Sequence, residues 1–229
     1  MHDHSRLRNT PKYDIIKNKR EADLDARESK TLSEIDGYEK LFSMRPIDTA
    51  RSIAASLYRV FTAYPEMIGK VKGLSTRSLG VNTWAGFSPM GKNIVLGRIK
   101  YSADTDSLRR DYAASVAQGY FPKGTDYRSI IVHEMGHAID FFVGEKKGVD
   151  RISYAMQFEY LTQETGLKSA YGKAADAYIL TNVSKYAKKN QKELFAECFS
   201  EYVTSVRPRD MAKWYGERIE KKIREVMGI

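Results

Sequence analysis

The residues of this 229-residue chain best placed to do chemistry are His133-Glu134-Met135-Gly136-His137. Residues four apart on an α-helix lie about 40° apart around the axis, one turn above one another, so both imidazoles can reach one cation. Glu134 follows the first histidine, where its carboxylate can meet a water in the cation's open position and take its proton. Ile130, Ile131 and Val132 before the motif, and Ala138, Ile139, Phe141 and Phe142 after it, predict a largely buried helix. Imidazoles and a carboxylate in such a setting need partners, and a metal supplies them. The chain has four histidines. His2 and His4 lie near the N-terminus and the other two are the motif pair, so a chance coincidence at this spacing is remote. Zinc is the expected ion.

A catalytic zinc commonly takes three protein ligands and keeps a fourth position open. A third ligand six residues after His137, behind a glycine turn, is excluded because Val143 stands at that place. The search moves to a later helix. Glu193 and Glu197 lie four apart, on one face, among Leu194, Phe195, Ala196 and Phe199. Carboxylates in so apolar a frame are costly unless paired or metal-bound. The same pair could instead form a solvated stripe on an amphipathic helix, the place expected for Glu201. Glu159 and Glu164 are rival ligands without a comparable apolar frame. Residue types and spacing leave that choice open.

Together the two segments resemble the glutamate-ligand zincins typified by the catalytic domain of anthrax toxin lethal factor. In that family a His-Glu-x-x-His-Ala-x-Asp helix is followed, some tens of residues on, by Tyr-(Ala/Gly) and then Glu-x-Phe-Ala-Glu-x-Phe. Here the first pattern is His133 to Asp140, the second Tyr186-Ala187, and the third Glu193-Leu194-Phe195-Ala196-Glu197-Cys198-Phe199. The resemblance implies that Glu193 is the third zinc ligand. It also implies that Tyr186 aims its phenol at the site and that Glu197 is a second-shell carboxylate holding a ligand histidine. The section from Gly86-Phe87 through Gly119-Tyr120-Phe121-Pro122-Lys123-Gly124 is similar to the zincin-like domains of phage minor head and head-morphogenesis proteins.

These likenesses imply a zinc metallopeptidase that hydrolyses peptide bonds in protein or peptide substrates, in a phage or prophage setting. A zinc-activated water would attack, Glu134 would act as general base, and Tyr186 would join zinc in stabilising the oxyanion. Three alternatives stand beside this reading, the least specific being a polyanion-binding module whose zinc only stabilises the fold. Another is a phage structural or interaction protein, a partner of head proteins, that keeps a zinc-binding fold without needing proteolysis. The third is a toxin-like effector protease. Tyr186 can equally pack a helix start. Asp140, three residues after His137, can accept an imidazole N–H from behind or serve as a cap or salt bridge. Cys198 reads as a small buried apolar residue, since its flanks carry no basic group to activate a thiol.

A frame must hold these residues. Residues 1–30 are dense in charge and read as an arm or exposed helix, and the zincin-like domain is expected over 31–229. Pro46 followed by Ile47, Ala50, Ile53, Ala54, Leu57, Val60 and Phe61 predicts a helix that Tyr64-Pro65 ends. Strands are expected at Val71–Leu74, Gly80–Phe87 and Asn93–Ile99, with a hairpin turn at Pro89–Asn93. The last of these is the expected edge for an extended substrate. Helices follow at Asp104–Gln118, Tyr127–Val143, Ile152–Thr165, Ala174–Leu180, Lys192–Val206 and Met211–Val226. Early strands and late helices predict an α+β, zincin-like fold: a small mixed sheet over the His-Glu-x-x-His helix, with a helical C-terminal half.

Bulk properties narrow the partners. The net charge of +9 comes from basic and acidic residues interleaved along the chain. With no nucleic-acid-binding motif, it predicts no nucleic-acid partner. No apolar run approaches the roughly 18 residues of a membrane span, and the N-terminus lacks a signal-like apolar core. One cysteine cannot form an internal disulfide. The expected setting is the cytoplasm of a bacterial or phage-infected cell, with virion association as a variant.

Overall fold

A computed structural model describes residues 47–228. The expected N-terminal arm, the start of the domain near residue 31, and Pro46 lie outside the described residues.

The first described element is helix α1, Ile47–Ala63, whose Ile53, Leu57, Val60 and Phe61 are buried at helical spacing. A single 3-10 turn at Pro65–Met67 ends it. Three short strands follow: β1 Leu74–Arg77, β2 Ala85–Ser88 and β3 Asn93–Gly97. Strand β1 begins where the apolar run predicted it to end. Gly73 sits at φ 134°, a conformation natural to glycine, and the extended ladder starts only after it. Residues 80–84 form a turn, closed by Thr83 N–H on the Gly80 carbonyl, so β2 is shorter than its apolar pattern.

The sheet order is β1-β3-β2, with β1 parallel and β2 antiparallel to β3. This corrects one expectation: Asn93–Gly97 is the central strand of the sheet, and the edge over the helices is β2. The Gly97 N–H donates to the Trp84 carbonyl at 2.8 Å. By the alternation of an antiparallel ladder, Gly86 and Ser88 then pair with β3, while the peptide groups of Ala85 and Phe87 point to the open side.

After β3 come the short helix α2, Arg98–Tyr101, and α3, Thr105–Ala117, which Asp104 caps by accepting the Ser107 N–H at 2.8 Å. Helix α4, Ser129–Lys147, carries the motif histidines and ends at Gly148 in the left-handed region. It runs four residues beyond the predicted Val143. Helix α5, Ser153–Glu159, widens into a π turn at Tyr160–Glu164. Helix α6, Lys173–Asn182, and a 3-10 turn at Ala187–Lys189 lead into α7, Gln191–Thr204, and α8, Asp210–Met227.

The architecture is α+β, mostly helical, with one small mixed sheet among the described residues. Helix α4 is the central element. It packs along α7 and carries α1 and the sheet on other faces. Strand β2 meets α4 through Phe87, whose ring lies 6.0 Å from Phe141 and 6.2 Å from Phe142. Helix α8 covers the far side of α7. Phe195 of α7 meets Tyr215 of α8 with ring centres 6.2 Å apart, while Phe199, also fully buried, meets Tyr64 at 5.5 Å. None of the described helices is long and apolar enough to cross a membrane.

Candidate metal centre

The site forms where α4 and α7 come closest, and a glycine sets that approach. A Cβ on Gly136 would lie 3.0 Å from Ala196 Cα and 3.2 Å from Phe199 Cδ1. The residue between the two histidines therefore lets the helices touch backbone to backbone. Across this contact, Glu193 in the first turn of α7 reaches the α4 imidazoles. Asn190 fixes that first turn by accepting the Glu193 N–H at 3.0 Å.

His133 Nε2 lies 3.0 Å and His137 Nε2 3.2 Å from the same oxygen, Glu193 Oε2. All three donor atoms fall within 4.8 Å of one another. Atoms bound about 2.0–2.1 Å from a tetrahedral zinc stand roughly 3.3 Å apart, so the two histidine–glutamate spacings are close to the edges of such a site. Two imidazole nitrogens and a carboxylate oxygen are also a donor set that suits zinc among the common divalent ions.

Glu197, one turn further along α7, approaches the other nitrogen of His133: Nδ1 to Oε1 is 2.8 Å. An Nδ1–H donated to this carboxylate leaves Nε2 with its lone pair facing Glu193 and His137. The second oxygen of Glu197 accepts the Ser184 hydroxyl at 3.0 Å, and Ser184 Oγ accepts the Ala187 N–H at 3.0 Å. The chain ahead of α7 thus holds the carboxylate that holds the histidine.

Electrostatics follow from this crowding. Burial alone would lower the His133 pKa, but the bonds to Glu193 and Glu197 outweigh it and push it up to about 10. Burial would raise Glu193, yet the two imidazoles hold it well below the usual carboxylate range. Glu134 lies beside these groups, buried, and burial raises its pKa against the lowering effect of the two histidines. Among the described residues its Oε2 has no hydrogen-bond partner. An unpartnered buried carboxylate oxygen next to three convergent donors fits a site that also takes a water.

Tyr186 lies just before the 3-10 turn, half-buried, with its ring 5.7 Å from the His133 ring. Burial raises its pKa, and Glu193 and Glu134 raise it further, so the phenol keeps its proton. Asp140 does not take the imidazole-facing option open to it in the sequence. It points away from the cluster and accepts the N–H groups of Ile152 and Ser153, each at 2.8 Å, as a cap on α5. The rival Glu159 pairs with Arg218 and Glu164 accepts the Trp214 Nε1–H, both away from the histidines. Glu201 is not on a solvated stripe: it is buried and held by Arg209, Nη2 to Oε2 at 2.6 Å. Cys198 is fully buried, and burial raises its thiol well above the ordinary value.

Sequence reading missed Ser184 and Asn190. Asn190 is legible in the sequence, since Asn three residues before Glu at a helix start is a capping signature. Ser184 reaches the site only through a chain reversal that no local pattern records.

The structure thus defines a helical α+β protein with a candidate metal centre made of His133, His137 and Glu193. Residues 109–216 match the family described as anthrax toxin lethal factor, N- and C-terminal domain. Over that segment, which holds the whole candidate centre, the chain is lethal factor-like, as the motifs pointed to. No curated protein and no solved structure matches the chain.

Proposed function

We propose that the chain is a zinc-dependent metallopeptidase with a zincin-like fold. The observation that carries the reading is the convergence of His133, His137 and Glu193 at tetrahedral-edge spacings beside the buried, unpartnered Glu134 Oε2. A zinc held entirely for structure is normally closed by four protein ligands and needs no spare carboxylate.

When bound, zinc would polarise the scissile carbonyl and make a water acidic enough to attack near neutral pH. The chain's own residues do the rest. Glu134 Oε2 takes the proton of the attacking water and passes it to the leaving amine nitrogen. Its raised pKa moves it toward the range where both transfers are efficient. Tyr186, protonated across the neutral range, donates its phenolic hydrogen to the developing oxyanion. Glu197 keeps His133 in the tautomer that offers Nε2 to the metal. The outward peptide groups of Ala85 and the Phe87 carbonyl on β2 pair with an extended substrate laid beside α4, while the Phe87 N–H faces Glu134.

The test is zinc content by mass spectrometry on protein purified without chelator, followed by cleavage of a peptide library. About one zinc per chain in the wild type, lost in Glu193→Ala, with cleavage abolished in Glu134→Ala, is the expected result. A metal-free wild type, or zinc retained in full by Glu193→Ala, would falsify the assignment of the centre. Zinc without any cleavage would leave a binding protein in place of a peptidase.

A further inference from the structure

The wall of the site opposite α4 is built from the segment Ser184–Lys192, and its composition is lopsided. It carries Lys185, Lys188, Lys189 and Lys192 and no acidic residue. Lys192 lies 3.7 Å from Asp150. Lys185, Lys188 and Lys189 are exposed, and none has an acidic partner among the described residues. These charges are not spread loosely over the surface. Lys189 holds its Nζ 4.7 Å from the centre of the Tyr186 ring, a cation–π contact.

The segment is also fixed in place. Lys185 N–H donates to the Gly119 carbonyl at 2.9 Å and Tyr186 N–H to the Tyr120 carbonyl at 3.1 Å. These bonds bring up Tyr120, an aromatic left 42% exposed. Its ring lies 5.3 Å from that of Tyr186 and 5.1 Å from that of Phe121. The result is a continuous rim, Tyr120–Tyr186–Lys189, with an aromatic floor and an unneutralised ammonium at one end. Legs of 5.7 Å from His133 to Tyr186 and 4.7 Å from Tyr186 to Lys189 put that ammonium within reach of the site. An extended chain covers such a span in about three residues.

We propose that this rim selects acidic substrates: Lys189, with Lys185 and Lys188 of the same segment adding to the positive charge, reads a carboxylate side chain within about three residues of the scissile bond. Tyr120 supplies the flat apolar surface on which the neighbouring substrate side chain lies. The inference rests on the metallopeptidase reading for the word "scissile"; binding of an acidic peptide beside the centre does not depend on it. Complementarity of this kind gives selectivity and association rate, and salt screens it.

The experiment measures binding apart from cleavage. Zinc-loaded Glu134→Ala protein is titrated into three fluorescein-labelled decapeptides with one common Ala-Tyr-Leu core and flanking Glu, Gln or Lys, and anisotropy is read. The Glu peptide is expected to bind about 10-fold or more tighter than the Gln peptide at low salt, with the gap closing as salt rises. Lys189→Glu should abolish or invert the order, while Lys221→Glu on α8, the same charge change elsewhere, should keep it. Equal affinities overturn the proposal. So does an order that both charge reversals change alike, which marks attraction to net charge only. Tyr120→Ala should weaken all three peptides alike, and an unchanged affinity removes Tyr120 from the rim. Wild-type protein is run against the Glu peptide in parallel. If binding follows the expected order and no bond is cut, the metallopeptidase reading fails and the acidic-peptide rim stands.

Discussion

The two ends of helix α7 make the same investment in buried glutamate and spend it differently. At the N-terminal end Glu193 and Glu197 meet imidazoles, with both histidines on one oxygen of Glu193 and His133 Nδ1 on Glu197. At the C-terminal end Glu201 meets Arg209, which donates from Nε and Nη2 to its two oxygens and from its backbone N–H to Oε1. Arg209 also ties itself to the Val183 carbonyl. A guanidinium is a permanent cation with a fixed fork of donors, so that pair is complete as it stands. The imidazole cluster is complete only with a proton or a metal between its atoms. Burial of a carboxylate therefore does not mark a site; the replaceability of its partner does.

The contrast breaks most sharply at Glu193. Glu193→Ala should take zinc from about one per chain to near zero and lower peptide cleavage by about 10³-fold or more. Its unfolding free energy in chelator should stay within about 1 kcal/mol of wild type, because Glu197 still serves His133. Metal analysis, turnover and urea denaturation read the three outcomes. A large loss of apo stability would mean that the cluster is a structural pair like the one at Glu201.

Glu201→Ala should do the reverse. It strands a guanidinium that is only 29% exposed, and should cost about 2–3 kcal/mol by urea denaturation, at the lower edge for broken buried pairs. Zinc content should be unchanged. Glu197→Gln sits between the two: it keeps the shape and loses the charge that orients His133. Zinc affinity, measured by chelator competition, should fall about 10–100-fold with the fold intact. An unchanged affinity would show that His133 needs no carboxylate behind it.

How much of this was readable in the chain depends on the range of the interactions. The motif helix and its pair of histidines follow from spacing alone, because a turn of helix fixes His133 against His137. Glu193 and Glu197 are legible as carboxylates in an apolar frame, but Glu201, expected on a solvated stripe, is buried as deeply as Glu197. The difference lies in Arg209, which reaches back only because α7 stops at Thr204 and the chain reverses. The strands were located to within a few residues, yet their order was not legible. Pairing β3 between β1 and β2 is a non-local choice that four or five residues per strand do not encode, so the edge fell to β2. The π turn at Tyr160–Glu164 left no mark on the apolar pattern.

Asp140 extends the comparison to a third kind of buried carboxylate, satisfied by peptide N–H groups. Burial raises its pKa, and the Ser153 side chain, the N–H groups of Ser153 and Ile152, and Arg151 offset that only in part. Arg151 stands off at 3.9 Å from Oδ2. The sign follows from the raised value. The folded state holds this proton more tightly than the unfolded chain does, so the stability Asp140 contributes is full below its ordinary pKa of about 3.8 and is lost as pH rises through the folded value. Asp140→Asn keeps an acceptor for the two N–H groups and removes the titration. Its urea midpoint should therefore gain on wild type between acid and neutral pH, the smallest of these effects, with zinc content unchanged. If wild type gains instead, Arg151 closes on Asp140 in solution, and the cap at α5 belongs with Glu201 rather than apart from it.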